Sequence, residues 1–128
     1  MALAEYGGRH RLLIVDDEPK VAETLVHAFT AKGYDAIAVG RGEDALALTD
    51  AFRPQTVLLD LLLPGMSGID ILKQLKQLSP VPRVIVVSGA DLDEVVQGAL
   101  RLGADAYVVK PVDIAKIEHL ITGVWPSR

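Results

Sequence analysis

The sequence predicts an α/β fold: one open, five-stranded parallel sheet in the order 2-1-3-4-5, held between two helical layers as an α/β/α sandwich. Three observations carry this. Five short runs are apolar at nearly every position, as strands buried on both faces require. Segments with apolar residues at helical spacing separate the runs, and parallel strands need such crossovers. The second run, Ala36 to Val39, is the shortest and least bulky, which makes it an edge candidate. A closed barrel needs about eight such units, so the sheet stays open.

Arg11 to Val15 reads as the first strand, stopped by Asp16-Asp17-Glu18-Pro19. Pro19 suits the first turn of a helix, with Asp17 or Glu18 by its N-terminus. Val21, Leu25, Ala28 and Phe29 continue that helix, and Lys32-Gly33 ends it with a cation and then a glycine. Ala36 to Val39 is the second strand. Gly42 to Phe52 is a helix with Ala45, Leu46, Leu48 and Phe52 inward, closed by Arg53-Pro54.

Thr56 to Asp60 is the third strand, with its carboxylate where the strand leaves the sheet. Pro64-Gly65 marks a turn. Ser67 is placed to cap a helix in which Ile69, Leu72 and Leu75 face inward. Lys73, Gln74, Lys76 and Gln77 are expected to face water, and Ser79-Pro80-Val81-Pro82 breaks the helix.

Arg83 to Val87 is the fourth strand and ends in Ser88-Gly89-Ala90. Asp91 to Leu102 is a helix with Gly98 as a mild liability and Gly103 as its C-terminal cap. Ala106 to Val109 is the fifth strand, followed by Lys110-Pro111. Ile114, Ile117, Leu120 and Ile121 define the last helix. The domain is expected over residues 11–124, after a disordered lead-in over 1–10 and before a tail over 125–128.

Composition narrows the function. With 128 residues, half of them hydrophobic and 23% charged, the chain suits one globular domain. A net charge of −4 argues against direct nucleic-acid binding, which needs a basic footprint. The absence of cysteine removes thiol chemistry, disulfides and thiolate metal sites, and fits a reducing, cytoplasmic setting. No apolar run approaches the ~20 residues that span a bilayer, and MALAEYGGRHR lacks the apolar core of a signal peptide. His10, His27 and His119 are scattered off metal spacing and are expected at the surface.

The polar residues gather at strand ends: Asp16 and Asp17 after the first, Asp60 at the third, Ser88 after the fourth, Lys110 after the fifth. In a parallel sheet these ends share one rim, and open α/β sheets bind ligands where the strand order reverses. Three carboxylates brought together repel one another unless a cation intervenes. All-oxygen ligation suits Mg²⁺, which also accepts waters and phosphate oxygens. A lysine and a serine beside it complete a phosphoryl site. Asp60, on the central strand, is then the candidate nucleophile for an aspartyl phosphate. Taken singly, these residues have ordinary readings: helix cap, turn serine, surface lysine. A lone carboxylate ending a buried strand has the weakest ordinary reading, because it is costly to desolvate.

The chain resembles the receiver domains of two-component response regulators, from Arg11 to about Thr122. The residues that carry the resemblance are the acidic pair in LLIVDDEP, the aspartate in LLDLLLPGMSG, the serine in VIVVSGA and the lysine-proline in GADAYVVKP. The strand order leans on this resemblance as well as on the edge argument. The resemblance implies that Asp60 accepts a phosphoryl group from a phosphohistidine on a sensor histidine kinase or a phosphotransfer protein. It implies Mg²⁺ held directly by Asp17, Asp60 and the backbone carbonyl of Leu62, and through water by Asp16. Lys110 would contact phosphoryl oxygens, with a cis bond to Pro111, and Ser88 and Tyr107 would turn inward as switch residues. The face of the fourth helix, fifth strand and fifth helix would then be read by an output domain or effector. Self-pairing through that face on phosphorylation is an alternative for which the sequence offers no charge pattern. On this reading the chain is a phosphoacceptor signalling domain whose only catalysis is its own phosphorylation and dephosphorylation.

Three other readings of the same residues differ in one feature each. A flavin carrier would need a hydroxyl- and glycine-rich first loop, where DDEP stands. An aspartyl phosphohydrolase would carry a second carboxylate two residues after the nucleophile, where Leu62 stands. A receiver used only for binding would not need the full acidic set. No output segment is recognisable, so a stand-alone regulator and a piece of a longer one both remain open.

Overall fold

The computed structural model describes residues 8–123. Its elements alternate throughout: β1 (Arg11–Val15), α1 (Pro19–Ala31), β2 (Asp35–Val39), α2 (Gly42–Phe52), β3 (Thr56–Leu59), α3 (Gly68–Leu75), β4 (Arg83–Ser88), α4 (Asp93–Arg101), β5 (Ala106–Val109) and α5 (Ile114–Thr122). The five strands form one parallel sheet in the order β2-β1-β3-β4-β5.

Successive strand residues point to opposite faces, so each buried strand feeds two cores. Leu13, Val15, Val57, Leu59, Val84 and Val86 pack with Ala45, Ile71, Leu72, Leu75 and Ala99, from α2, α3 and α4. Leu12, Ile14, Leu58, Ile85, Val87 and Val108 pack with Leu25, Phe29, Ile117 and Ile121, from α1 and α5. This is why the strand sequences are apolar without alternation. β2 lies at the edge, as its small residues suggest, and is the most exposed strand. It is not the shortest, because pairing with β1 begins at Asp35.

Local chemistry sets the helix ends. Ser67 caps α3, its Oγ accepting the Ile69 N–H at 3.2 Å. Asp113, not singled out in the sequence, caps α5 through the Lys116 N–H at 3.1 Å. α4 is shorter than its apolar spacing predicts, starting at Asp93 behind an exposed Leu92 and ending at Arg101. Gly103 follows with φ +106°, the left-handed conformation that glycine adopts most cheaply. A Cβ on Gly68 would collide with the Leu61 backbone. That contact seats the start of α3 on the loop that follows β3.

Two expectations are corrected. Lys76 does not face water: its ammonium donates to Asp105 Oδ2 at 2.7 Å and to the Pro82 carbonyl at 3.1 Å. His10 is not a surface residue of a loose lead-in. Its Nε2 lies 2.8 Å from Thr56 Oγ1, its ring packs on Tyr34, and its carbonyl accepts the Asp35 N–H. The unanticipated cause is Thr56, a buried hydroxyl that needs a partner. His119 is also partly buried, whereas His27 is exposed as expected. Residues 1–7 of the expected lead-in, and position 124 with the tail over 125–128, lie outside the described residues.

Candidate functional site

Strand order and register build the site. The chain leaves β1 toward β2 on one side and returns to β3 on the other, so the crevice opens between β1 and β3. Val15 pairs with Leu59, which puts the next residues, Asp16 and Asp60, at one height. The Asp60 N–H still donates to the Val15 carbonyl at 2.9 Å. Ser88 pairs with Val109, and the Lys110 N–H donates to the Ser88 carbonyl, so both arrive at the same rim.

Asp16, Asp17 and Asp60 each bring a carboxylate oxygen to within 4.8 Å of the others'. Asp16 and Asp60 are buried and Asp17 is exposed. Lys110 reaches across the sheet to them, its Nζ 2.8 Å from Asp16 Oδ2 and 3.0 Å from Asp60 Oδ2. A third carboxylate, Glu18, lies nearer still, with Oε1 at 2.6 Å. Backbone amides fix the two buried acids. The Glu18 N–H donates to Asp16 Oδ1 and the Leu62 N–H to Asp60 Oδ1, both at 2.9 Å.

The ionisation balance follows from burial and from charge. Burial is the largest influence on Asp16 and lifts its carboxyl above the usual range, only partly countered by Lys110 and the Glu18 amide. Burial is also the largest single influence on Lys110 and pulls it down. Its hydrogen bonds to Asp16, Glu18 and Asp60, with the charge of Asp60, together outweigh that and hold the ammonium above the ordinary lysine range. Asp16 and Lys110 thus move the same way although they share one ion pair. Asp16 gives up more water than one shared lysine restores, whereas Lys110 gains three anions.

Ser88 is fully buried, and its Oγ accepts the Ala90 N–H at 3.3 Å. The Tyr107 hydroxyl donates to the Ala90 carbonyl at 2.6 Å. Burial raises the Tyr107 phenol above its usual range, against a hydrogen bond with Ser88 and with the charges of Asp60 and Asp91. Ser88, Ala90 and Tyr107 therefore form one linked cluster beside the carboxylates. The Lys110–Pro111 peptide is cis. So is Ser79–Pro80, which the sequence did not suggest.

The structure brings Asp16, Asp17, Asp60 and Lys110 into direct association, with Ser88 and Tyr107 next to them on the same rim. Leu62 joins through its amide, while its side chain is 62% exposed. The donor set is all oxygen, which fits a hard divalent cation such as Mg²⁺. Glu18 is the residue whose part the sequence concealed. It reads as a helix-start residue, yet its side chain makes no cap and is spent on Lys110 instead. The available signal was a third acid running directly into Pro19.

Among the described residues no helix is long and apolar enough to cross a membrane. The sequence profile of the response regulator receiver domain matches residues 12–122. The DNA-binding response regulator MtrA of Mycolicibacterium smegmatis is 46% identical over 103 residues, covering 80% of this chain and 45% of that protein. The chain thus spans about half the length of the curated relatives it matches. A CheY-like response regulator receiver domain protein from Methanospirillum hungatei superposes with a TM-score of 0.85 at 28% identity, over 91% of this chain and 93% of that one. A response regulator protein from Burkholderia pseudomallei, with a phosphorylated aspartic acid and a calcium ion, gives a TM-score of 0.81 at 28% identity, over 86% of this chain and 65% of that one. Sheet order, acidic rim and profile agree, and the chain belongs to the response regulator receiver domain family.

Proposed function

We propose that the chain is a phosphoacceptor receiver in which Asp60 takes a phosphoryl group from a phosphohistidine on a sensor histidine kinase or a phosphotransfer protein. An Asp60 carboxylate oxygen forms the new P–O bond as the donor's P–N bond breaks, and the electron pair returns to the imidazole nitrogen. The observation that carries this reading is the Asp60 carboxylate held between the acidic pair and the Lys110 ammonium. Lys110 meets the charge that the phosphoryl oxygens bring, and Ser88 offers its hydroxyl to them. Asp17, Asp60 and the Leu62 carbonyl would hold Mg²⁺, with Asp16 acting through water. The cation supplies charge neutralisation between the crowded carboxylates and the incoming phosphoryl group.

Ser88 and Tyr107 act as the switch in this reading. Once Ser88 turns to the phosphoryl group, the Ala90 cluster that holds Tyr107 rearranges, and the face of α4, β5 and α5 changes for an output domain, an effector or a second copy. Leu92, at the start of α4, and Val109, at the end of β5, are exposed. The acidic domain is cytoplasmic and reaches nucleic acid only through such a partner, with the receiver unit over residues 11–124. Leu62 and Ala90 bear no polar side-chain group to orient an attacking water, so the aspartyl phosphate is long-lived without a phosphatase. The chain is thus no general enzyme and catalyses only its own phosphorylation and slow dephosphorylation.

Intact mass after treatment with a small-molecule phosphodonor and Mg²⁺ tests the reading. One phosphoryl group is expected on the wild type and none on Asp60→Asn. Uptake by Asp60→Asn, or rapid loss from the wild type in Mg²⁺, would overturn the acceptor or its lifetime respectively.

A further inference from the structure

We infer that Glu18 is a positioning residue that restrains Lys110 in the resting site and must release it when the phosphoryl group arrives. This rests on the phosphoacceptor reading above. An ammonium has three donors and no more. In the resting protein they meet three carboxylates: Asp16 at 2.8 Å, Glu18 at 2.6 Å and Asp60 at 3.0 Å. A phosphoryl group on Asp60 takes over the Asp60 contact and brings further acceptor oxygens, so a second contact has to open for Lys110 to meet more than one of them.

Burial decides which one. The side chains of Asp16 and Asp60 are 3% and 4% exposed, whereas that of Glu18 is 59% exposed. Freeing the buried Asp16 from Lys110 would leave a desolvated charge without that partner, whereas the Asp60 contact passes to the phosphoryl oxygens. A freed Glu18 carboxylate regains water at once, so its contact is the one that yields. The geometry of α1 points the same way. Glu18 stands at the N-cap of α1 but makes no side-chain cap, its carboxylate being drawn off to Lys110. Aspartate, in contrast, is among the preferred N-caps. At position 18 it would keep the charge, lose one methylene of reach and turn toward the open amides of the helix start.

Beryllofluoride titrated with Mg²⁺ into the full chain tests this against Glu18→Gln and Glu18→Asp. Both variants should bind roughly two- to fivefold more tightly than the wild type, the range typical of a solvent-exposed ion pair. In metal-free protein, the Lys110 ammonium protons should exchange with water faster in both variants than in the wild type, as followed by nitrogen-detected NMR. If Glu18→Gln tightens binding while Glu18→Asp matches the wild type, charge alone is responsible and the restraint is overturned. Equal ammonium exchange in all three proteins, or unchanged affinity in both variants, also overturns it. A wild type that binds no beryllofluoride would instead overturn the phosphoacceptor reading, and the restraint with it.

Discussion

Both rims of the sheet carry charged side chains, but they are built on opposite principles. At the carboxyl rim, Asp16, Glu18 and Asp60 crowd around one ammonium, Lys110, with Asp17 beside Asp16 and Asp60. At the amino rim, Lys76 and Asp105 are matched one to one, and Arg11 and Arg83 are turned onto backbone. Asp105 Oδ2 accepts Lys76 Nζ at 2.7 Å and the Val84 N–H at 2.8 Å. The Arg11 Nε donates to the Arg53 carbonyl, and an Arg83 amino group donates to that of Leu120. One rim holds anions in excess and is ready to accept cations. The other has its demands met and ties strands to helices. On the proposed reading, function sits where polar groups outnumber their partners, and stability where they do not.

The largest test of that contrast is Asp105→Ala. It removes the acceptor shared by Lys76 and the Val84 amide and leaves Lys76 with the Pro82 carbonyl. Hydrogen bonds to charged groups put the cost at about 2 kcal/mol, read by urea denaturation. Phosphoryl uptake per folded molecule should stay unchanged. A loss below about 0.5 kcal/mol, the size of an ordinary surface substitution, would mean that the amino rim is not a structural clasp.

At the carboxyl rim the sign should reverse. Asp17→Asn takes one charge out of the acidic cluster and spares the contacts of Asp16 and Asp60 with Lys110. Relief of like-charge repulsion should raise the melting temperature in chelator by roughly 3 °C. Added Mg²⁺ should stabilise the wild type and leave the variant nearly unmoved. A variant that melts below the wild type in chelator would show that the acidic crowding costs the fold nothing.

The same contrast explains what could be read in the sequence. Strand runs, helix faces and the five rim residues were legible because each sits at a fixed place in a periodic pattern, and parallel topology alone brings strand ends together. What was concealed depends on side chains that reach across elements. Glu18 looks like the start of α1 until Lys110, from the far side of the sheet, is seen to claim it. Lys76 falls on the polar side of α3 by spacing, yet bends to Asp105, 29 residues away. The Leu62 amide on Asp60 is backbone geometry, on which the leucine side chain is silent. Long-range polar pairing has no period, so a single sequence does not announce it.

The smallest expected effect belongs to His10, whose place at the amino rim came from the structure alone. Burial first, then the nearby charges of Arg11 and Arg83, hold its imidazole below the ordinary value of 6.5. Its other neighbours are the Thr56 hydroxyl, the Tyr34 ring and the backbone of Asp35, and the charge of Glu118 acts on Tyr34. None of these puts a carboxylate directly on the ring. The unfolded chain therefore takes up the proton at higher pH than the folded one, and the neutral form favours folding. The stability His10 contributes is fully present above about pH 6.5 and is lost as pH falls through its lower folded value. His10→Phe keeps a ring against Tyr34 but cannot titrate. It should lower stability at pH 7.5, where Thr56 loses its partner, and flatten the decline between pH 7 and 5 seen in urea denaturation of the wild type. An equally steep decline in the variant would assign the acid sensitivity to the crowded carboxyl rim instead.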